Sequence, residues 1–182
     1  MNAVGESVKR KDGNGKANGT ARYADDLAFP GMLHGRTIRS TVAKGRLNGW
    51  KLETGRRGLT IVDHRDIPGR NIVALIVDDQ PCLVEREIRH AAEPVLLLAH
   101  ENREALLGAR VVLDELAEEP LYDPLVSAVA FKEILIEKGK LDRGFAQADL
   151  VVEGEYRTGH QEHVYIETNA VIAVPEDGGI TV

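Results

Sequence analysis

Short aliphatic runs separated by turn-forming residues are the feature of this sequence that most restricts its fold. Four such runs cover residues 59–62, 71–77, 94–99 and 110–116. They are rich in Val, Ile and Leu and are shorter than most helices, so each run predicts a β-strand. Aromatic residues make up only 4% of the chain. The sequence therefore predicts a sheet-rich fold whose core is built from aliphatic side chains.

Other patterns fill the gaps between these predicted strands. Residues 32–40 follow a Pro-Gly turn and predict a further strand. The glycine-containing residues 45–49 predict a turn, and residues 50–53 fit either a short helix or a strand. Residues 102–109 predict a helix, because small and apolar side chains recur one turn apart. Strands mixed with few helices indicate an α/β (α+β) fold.

The last third of the chain begins with a helical pattern at residues 141–148. Strand-like runs follow at residues 150–156 and 170–174, and residues 176–179 predict a hairpin turn. We expect a compact unit followed by the opening of a second one. The expected divisions are a flexible lead-in over 1–16, an α/β domain over 17–121, a linker over 122–140 and the beginning of another domain over 141–182.

A dense polar segment, residues 157–167, lies between the last two strand-like runs. It contains two histidines, two carboxylates, an amide and a phenol: His160, Gln161, Glu162, His163, Tyr165 and Glu167. Polar groups between buried strands cost free energy unless they face one another or a ligand. The segment is therefore predicted to be the functional site, or this chain's share of one.

Several chemical roles are open to the residues of this segment. The two histidines and two glutamates suggest a zinc site, but the helical His-Glu-x-x-His spacing is absent, so zinc is disfavoured. We expect His163 and Glu167 to form a polar pair that braces the loop. Glu162 could act as a general base, although its place beside Gln161 on an extended segment points it the other way. From the residues alone, Gln161 is predicted to bond to the backbone in a turn.

Charge and cysteine content exclude other classes of function. The net charge of −6 disfavours nucleic acid or an anionic membrane as a partner. No apolar run is long enough to cross a bilayer, and residues 1–19 lack the apolar stretch of a signal peptide. We therefore expect a cytoplasmic protein. The single cysteine, Cys82, cannot form an intrachain disulfide or anchor an iron–sulfur cluster alone, and is predicted to be a small core residue.

Short motifs occur in a set order along nearly the whole chain. They are Ala21-Arg22-Tyr23-Ala24-Asp25-Asp26, Pro30-Gly31-Met32-Leu33-His34-Gly35, Asp66-Ile67-Pro68-Gly69-Arg70-Asn71, Glu93-Pro94-Val95, Phe145-Ala146-Gln147-Ala148-Asp149, Val152-Glu153-Gly154-Glu155-Tyr156-Arg157 and Gln161-Glu162-His163-Val164-Tyr165-Ile166-Glu167. Each is weak alone, but the ordered set resembles the molybdenum-binding large subunit of the xanthine dehydrogenase and aldehyde oxidase family of molybdenum hydroxylases.

The resemblance implies a fold and one site residue. The first unit would be the family's α/β hammerhead domain, and the residues from about 142 onward would begin its first molybdopterin-binding domain. In the family, the glutamine of the Gln-Glu-His motif reaches the molybdenum centre and hydrogen-bonds an oxo group there. That position is Gln161 in this chain. Gln161 would thus lie near the metal without being a direct ligand, and no residue of this chain is a certain catalytic residue.

The resemblance also implies an activity and a set of partners. Family members use water to hydroxylate aldehydes or N-heterocycles oxidatively, and electrons leave through iron–sulfur clusters to flavin or another acceptor. The expected cofactor is molybdenum-molybdopterin, with the cytosine dinucleotide form as one alternative, shared with other chains. The 2Fe-2S clusters and FAD would belong to partner subunits. The expected partners are the remaining molybdopterin-binding chain, an iron–sulfur subunit and an FAD subunit, with a small-molecule substrate.

Departures from the family pattern leave other functions open. Ala92 replaces the usual glycine before Glu93-Pro94, and residues 41–45 replace a segment that usually contains Pro and His. The family's glutamate base and most of its cofactor contacts lie beyond residue 182, so we expect the isolated chain to be inactive. The alternative is a non-catalytic hammerhead-fold module for interaction or assembly. A stand-alone hydrolase using Glu162 and His163 ranks lowest.

Overall fold

Two three-stranded antiparallel sheets and one helix form the part of the structure that has a buried core. The computed structural model describes residues 4–55, 57–118, 123, 125–130, 132–159 and 161–182. In chain order the elements are α1 (Gly13–Ala17), β1 (His34–Arg39), β2 (Gly45–Thr54), β3 (Thr60–Val62), β4 (Glu87–Ile88), β5 (Pro94–His100), α2 (Arg103–Gly108), β6 (Arg110–Ala117), α3 (Leu141–Ala146), β7 (Val174–Glu176) and β8 (Gly179–Thr181). Two 3-10 helices cover Ala24–Asp26 and His64–Asp66.

The chain divides into two units, Pro30–Lys132 and a second unit made of Met1–Phe29 with Glu133–Val182. The first unit holds both three-stranded sheets, with strand orders β1–β5–β3 and β4–β2–β6. All neighbouring strands in these sheets are antiparallel. The strands predicted at residues 32–40, 59–62, 94–99 and 110–116 are confirmed as β1, β3, β5 and β6.

Aliphatic side chains from both sheets and from α2 form the core. The buried apolar residues are Leu47, Val84, Ile88, Val95, Leu96, Leu98, Leu106 and Ala109. Trp50, the single tryptophan, packs against this core while remaining partly exposed. Burying one such aliphatic side chain contributes about 1.5–3 kcal/mol. The predicted aliphatic core is confirmed for the part of the chain that the structure describes.

Helix α2 is fixed at both ends by side chains. The Asn102 side chain accepts a hydrogen bond from the Ala105 N–H at 2.9 Å, which caps the amino end. At the carboxyl end, Nη1 of Arg36 in β1 donates to the carbonyl oxygens of Ala109, Leu107 and Leu106 at 3.1, 3.2 and 3.5 Å. The last carbonyls of a helix have no partner inside the helix. Arg36 therefore satisfies them and ties α2 to β1.

The predicted turn at residues 45–49 is wrong, because these residues belong to β2. The register between β2 and β6 shifts between Leu47 and Gly49, so Asn48 is the extra residue of a bulge. A Cβ at Gly45 would lie 2.1 Å from the backbone oxygen of Leu116. The glycines here permit a bulge and a close strand approach instead of a chain reversal.

The strand predicted at residues 71–77 is also wrong. This segment is a loop that carries one isolated bridge between Val73 and Gln80. Its aliphatic residues other than Ile72 are exposed, with Leu75 and Ile76 each 83% accessible. An apolar run becomes a strand only where a neighbouring strand pairs with it, and Gln80 is the one bridge partner among the described residues.

The turn before β5 combines backbone strain with buried polar groups. Ala92 has φ of 60°, in the left-handed region that favours glycine. Glu93 is only 1% exposed, and its carboxylate accepts the Arg89 N–H at 2.7 Å. The Ser40 hydroxyl oxygen accepts the Glu93 N–H at 2.9 Å. These bonds hold the turn closed, and they hold Ala92 in its strained conformation.

The second unit has much less regular structure. The predicted helix and hairpin are confirmed as α3 and as the β7–β8 pair, whose Asp177-Gly178 turn uses the positive φ of Gly178. The strand predicted at residues 150–156 is absent, and of residues 170–174 only Val174 is in a strand. None of the described residues in this unit is buried. Without a packed face, alternation of side chains alone does not stabilise a strand.

Candidate functional site

The polar segment, residues 157–167, is exposed and has no helix or strand over its described residues. His160 lies outside the described residues, so the predictions that involve it are not addressed. The expectation that two buried strands flank this segment is wrong, since residues 150–156 and 170–173 are irregular. Its polar groups are therefore solvated in the isolated chain, and they do not need one another to offset burial.

Glu162 organises the backbone of the segment. Its Oε1 accepts hydrogen bonds from the N–H groups of His163 at 3.0 Å and Val164 at 3.4 Å. Val164 has φ of 50°, which is unusual for a β-branched residue. A carboxylate that accepts from the two following backbone amides forms a local turn. Glu162 thus acts here as a turn acceptor.

His163 pairs with a residue other than the predicted one. Its ring stacks on that of Tyr165, with centroids 5.4 Å apart and planes within 2°. The predicted polar pair with Glu167 is not formed within the described part of the chain, so that prediction is wrong. The stack with Tyr165 is therefore the contact that the structure shows for the His163 ring.

Gln161 lies directly before the Glu162 turn with an exposed side chain. Its amide makes no hydrogen bond to any other residue that the structure describes, so the backbone-bonded arrangement is not observed. A glutamine amide carries both a donor NH₂ and an acceptor oxygen. An exposed amide at the start of a defined turn is available to a group outside the chain.

The described residues of the polar segment do not enclose a metal or a large cofactor. Within them, no group of three or more His, Cys, Asp and Glu residues is placed to hold a metal ion. The polar segment is open to solvent along its described length. Ligand sites usually bury most of the ligand in a concave cleft. The chemistry available here is limited to hydrogen bonding from one side, with Gln161 as its donor and acceptor.

Exposed apolar side chains lie within and beside the polar segment in the sequence. Tyr156, Val164, Ile166 and Val171 are 90%, 78%, 106% and 78% exposed. Several large apolar side chains exposed in one short stretch are typical of a surface that other protein covers. The residues around Gln161 thus include apolar side chains typical of a buried surface, but in this chain those side chains are exposed to solvent.

The structure also reveals a buried acidic residue, Asp63, that the sequence patterns did not indicate as functional. Asp63 is 5% exposed and caps the His64–Asp66 turn by accepting the Arg65 N–H at 2.8 Å. The Arg65 guanidinium also bonds this carboxylate, which lowers the pKa of Asp63 to about 2. The sequence signal was Asp63 three residues before Asp66, the spacing of a capping box. Asp63 stabilises the fold and lies in the unit Pro30–Lys132, not in the polar segment.

Comparison with known protein families matches two adjacent stretches of the chain. Residues 18–120 match the family described as aldehyde oxidase and xanthine dehydrogenase, a/b hammerhead domain. Residues 123–182 match the molybdopterin cofactor-binding domain. Among the described residues, no helix has the length and apolar character needed to cross a membrane.

Individual relatives are longer than this chain. A probable xanthine dehydrogenase subunit from Bacillus subtilis is 31% identical over 186 residues, covering 93% of this chain and 25% of that protein. The nicotinate dehydrogenase large molybdopterin subunit of Eubacterium barkeri is 30% identical over 193 residues, covering 97% of this chain and 45% of that protein. This chain therefore spans between a quarter and a half of these two relatives.

A solved structure supports the same assignment. The crystal structure of a Cu,Mo-CO dehydrogenase in the carbon monoxide reduced state superposes with a TM-score of 0.54 and 25% sequence identity, over 66% of this chain and 16% of that one. The hammerhead match covers more than half of the 182 residues. The chain therefore belongs to the aldehyde oxidase and xanthine dehydrogenase family, with a hammerhead domain followed by residues of the molybdopterin cofactor-binding domain.

Proposed function

We propose that this chain is a subunit or amino-terminal part of a molybdenum hydroxylase that oxidatively hydroxylates an aldehyde or an N-heterocycle with water. The observation that carries the proposal is the order of the two matches, hammerhead over 18–120 and molybdopterin-binding over 123–182. The names of the relatives, xanthine dehydrogenase and nicotinate dehydrogenase, supply the substrate class. A bound molybdenum-molybdopterin group would supply the redox chemistry in the assembled enzyme.

The buried core supports the proposed roles of the two parts of the chain. The hammerhead domain, residues 17–121, would be the scaffold, since the buried core of the described structure lies within it. Residues 122–140 link it to residues 141–182, which begin the molybdopterin-binding domain. This last part has no buried residue of its own among those the structure describes, so it needs further protein to cover it. The isolated chain would accordingly show no turnover.

The proposed role of Gln161 is to position the cofactor through its side-chain amide. The side chain is exposed and its backbone leads into the turn that Glu162 closes, which supports a contact with a group outside the chain. A neutral hydrogen bond contributes about 0.5–1.5 kcal/mol net. Gln161 would therefore adjust binding and orientation, and no residue of this chain is proposed as a direct metal ligand.

The proposed partners are the remaining molybdopterin-binding chain, an iron–sulfur subunit that carries 2Fe-2S clusters and an FAD subunit. The names of the relatives, which describe them as subunits, support an assembly of several chains. The cytosine dinucleotide form is one option for the cofactor, and the cytoplasm is the proposed location. A net charge of −6 supports the exclusion of nucleic acid and anionic membranes as partners.

Metal analysis of the purified assembly tests the function. The chain is isolated with its neighbouring subunits under native conditions, and molybdenum and pterin are measured per chain. We expect stoichiometric molybdenum together with a pterin. A stable monomer that contains neither, from cells that load other molybdenum enzymes, would refute the proposal and favour a non-catalytic hammerhead module.

Replacing Gln161 by Ala tests the site assignment. In the assembled enzyme, Gln161→Ala should lower turnover by about 2- to 12-fold, which corresponds to the loss of one neutral hydrogen bond. The control is Gln147→Ala, because Gln147 is also exposed and lies at the end of α3. Circular dichroism and molybdenum content should be unchanged in both variants. Equal activity of both variants and the parent enzyme would remove Gln161 from the site.

A further inference from the structure

A loop with an apolar tip belongs to the unit Pro30–Lys132, called here the hammerhead unit. The loop, residues 71–80, carries at its tip three consecutive aliphatic residues, Leu75, Ile76 and Val77, which are 83%, 83% and 55% exposed. Isolated apolar residues on a surface are common, whereas three adjacent ones at a loop tip form a contiguous patch. Such a patch is unfavourable in water and indicates a surface that another protein covers.

The base of the 71–80 loop is held firmly. The Asn71 side chain donates to the Leu83 carbonyl at 2.7 Å and accepts the Leu83 N–H at 3.0 Å. Val73 N–H donates to the Gln80 carbonyl at 2.7 Å, which closes the neck of the loop. Arg70 forms an ion pair with Asp78 at 3.0 Å. A loop fixed in this way presents its tip without a further ordering cost when a partner binds.

The charges of the loop predict the charge at the edge of the partner surface that binds it. Asp78 and Asp79 directly follow the apolar tip, and the loop contains no Lys or Arg. Asp78 is paired with Arg70, and the Arg89 guanidinium donates to the backbone carbonyl of Asp79. The Asp79 carboxylate itself makes no ion pair within the described part of the chain, so it is available to a basic group of the partner. A complementary surface is an apolar pocket with a basic side chain at its edge.

We propose that the 71–80 loop docks into a pocket on the polypeptide that supplies the rest of the molybdopterin-binding protein. This inference rests on the proposed function. The relatives point to that occupant, since this chain spans only 25% and 45% of the two described above. The polypeptide beyond the matched stretch is therefore large, and in the assembly it accompanies this chain. Ile76 is the anchor, and a Lys or Arg of the pocket faces Asp79.

Site-specific photocrosslinking in the native assembly tests the contact. The photoreactive residue p-benzoylphenylalanine replaces Ile76 in the full chain, and crosslinked peptides are identified by mass spectrometry. We expect a crosslink to a peptide of the molybdopterin-binding protein outside the stretch matched by this chain, with a Lys or Arg close by. The same probe at Leu107, which is 51% exposed on α2, is the control and should give no such product.

A charge-reversal pair then tests the basic rim. Asp79→Lys, combined with the probe at Ile76, should lower the crosslink yield roughly tenfold, since a like charge would face the rim. Glu101→Lys changes an exposed acid elsewhere in the unit and should leave the yield within about twofold. Unchanged fluorescence of Trp50 in each variant shows that the hammerhead core is intact.

Each other outcome contradicts the docking proposal. A crosslink to the iron–sulfur or flavin subunit, a crosslink to the loop of a second copy, or no crosslink at all would each rule out the proposed pocket. Molybdenum is measured on the same sample, so failure of the proposed function is distinguished from failure of the docking proposal. A molybdenum-containing assembly without the crosslink refutes only the docking site, and a metal-free complex with the crosslink refutes only the function.

Discussion

Arg36 should be the most important charged residue for the stability of the hammerhead unit. Its Nη1 lies 3.1 and 3.2 Å from the carbonyl oxygens of Ala109 and Leu107, with Leu106 farther away at 3.5 Å. Hydrogen bonds that involve a charged group contribute about 1.5–3 kcal/mol when buried. The pair here is partly exposed, so we expect Arg36→Met to cost about 2 kcal/mol in total. Met keeps the apolar stem and removes the donors.

The assay is urea unfolding of the 182-residue chain, followed by the fluorescence of its one tryptophan, Trp50. Since 1 kcal/mol shifts the melting temperature of a unit of this size by about 4–8 °C, Arg36→Met should also lower it by about 8–16 °C. The matched control is Arg39→Met, which removes one exposed bond from the same strand, to the Ala92 carbonyl at 2.9 Å. If both variants lose the same free energy of unfolding, the helix-end argument is wrong.

Three further changes test other features of the unit. Ala92→Gly should raise the free energy of unfolding by about 0.5–1 kcal/mol, because it relieves a left-handed backbone, whereas Ala91→Gly, without a positive φ, should lower it. The pKa of Asp63 is about 2 in the folded chain, below its usual 3.8, because Arg65 bonds the carboxylate. The lowered pKa contributes about 1 kcal/mol to the free energy of unfolding after screening. This contribution should be present above pH 4 and be lost as the pH falls through 2, so the free energies of unfolding of wild type and Asp63→Asn should converge there. Gly45→Ala should cost at least about 2 kcal/mol in the same unfolding assay, since its Cβ would meet a backbone oxygen at 2.1 Å.

The elements that the sequence predicted correctly are those whose signals are local. Helix α2 has an Asn102 cap and an apolar residue, Leu106, that is buried against the sheets. Strand β5 is a continuous aliphatic run, which is typical of a central strand, and it lies between β1 and β3. In both cases the propensity of the segment and its final environment agree, so a pattern read from a few residues is sufficient.

The errors arise where structure depends on a distant partner. The glycines of residues 45–49 looked like a turn, and they serve the approach of β2 to β6, more than sixty residues away in sequence. The departure at Ala92 was visible in the sequence, but its cost was not, because the positive φ follows from the bonds around Glu93 and Ser40. Neither contact can be inferred from spacing along the chain.

Residues 150–156 and 94–99 show why the candidate site could be located but not built from the sequence. Both runs are rich in Val and Leu, yet the second forms β5 between two partner strands while the first is irregular and exposed. Backbone groups in a strand are satisfied by neighbours, and side chains gain free energy only when a second layer covers them. The residues around Gln161 carry the pattern of an interior without the neighbours that make one. In our proposal those neighbours come with the rest of the enzyme, so the geometry of the Gln161 amide is set by assembly and not by this chain's own fold.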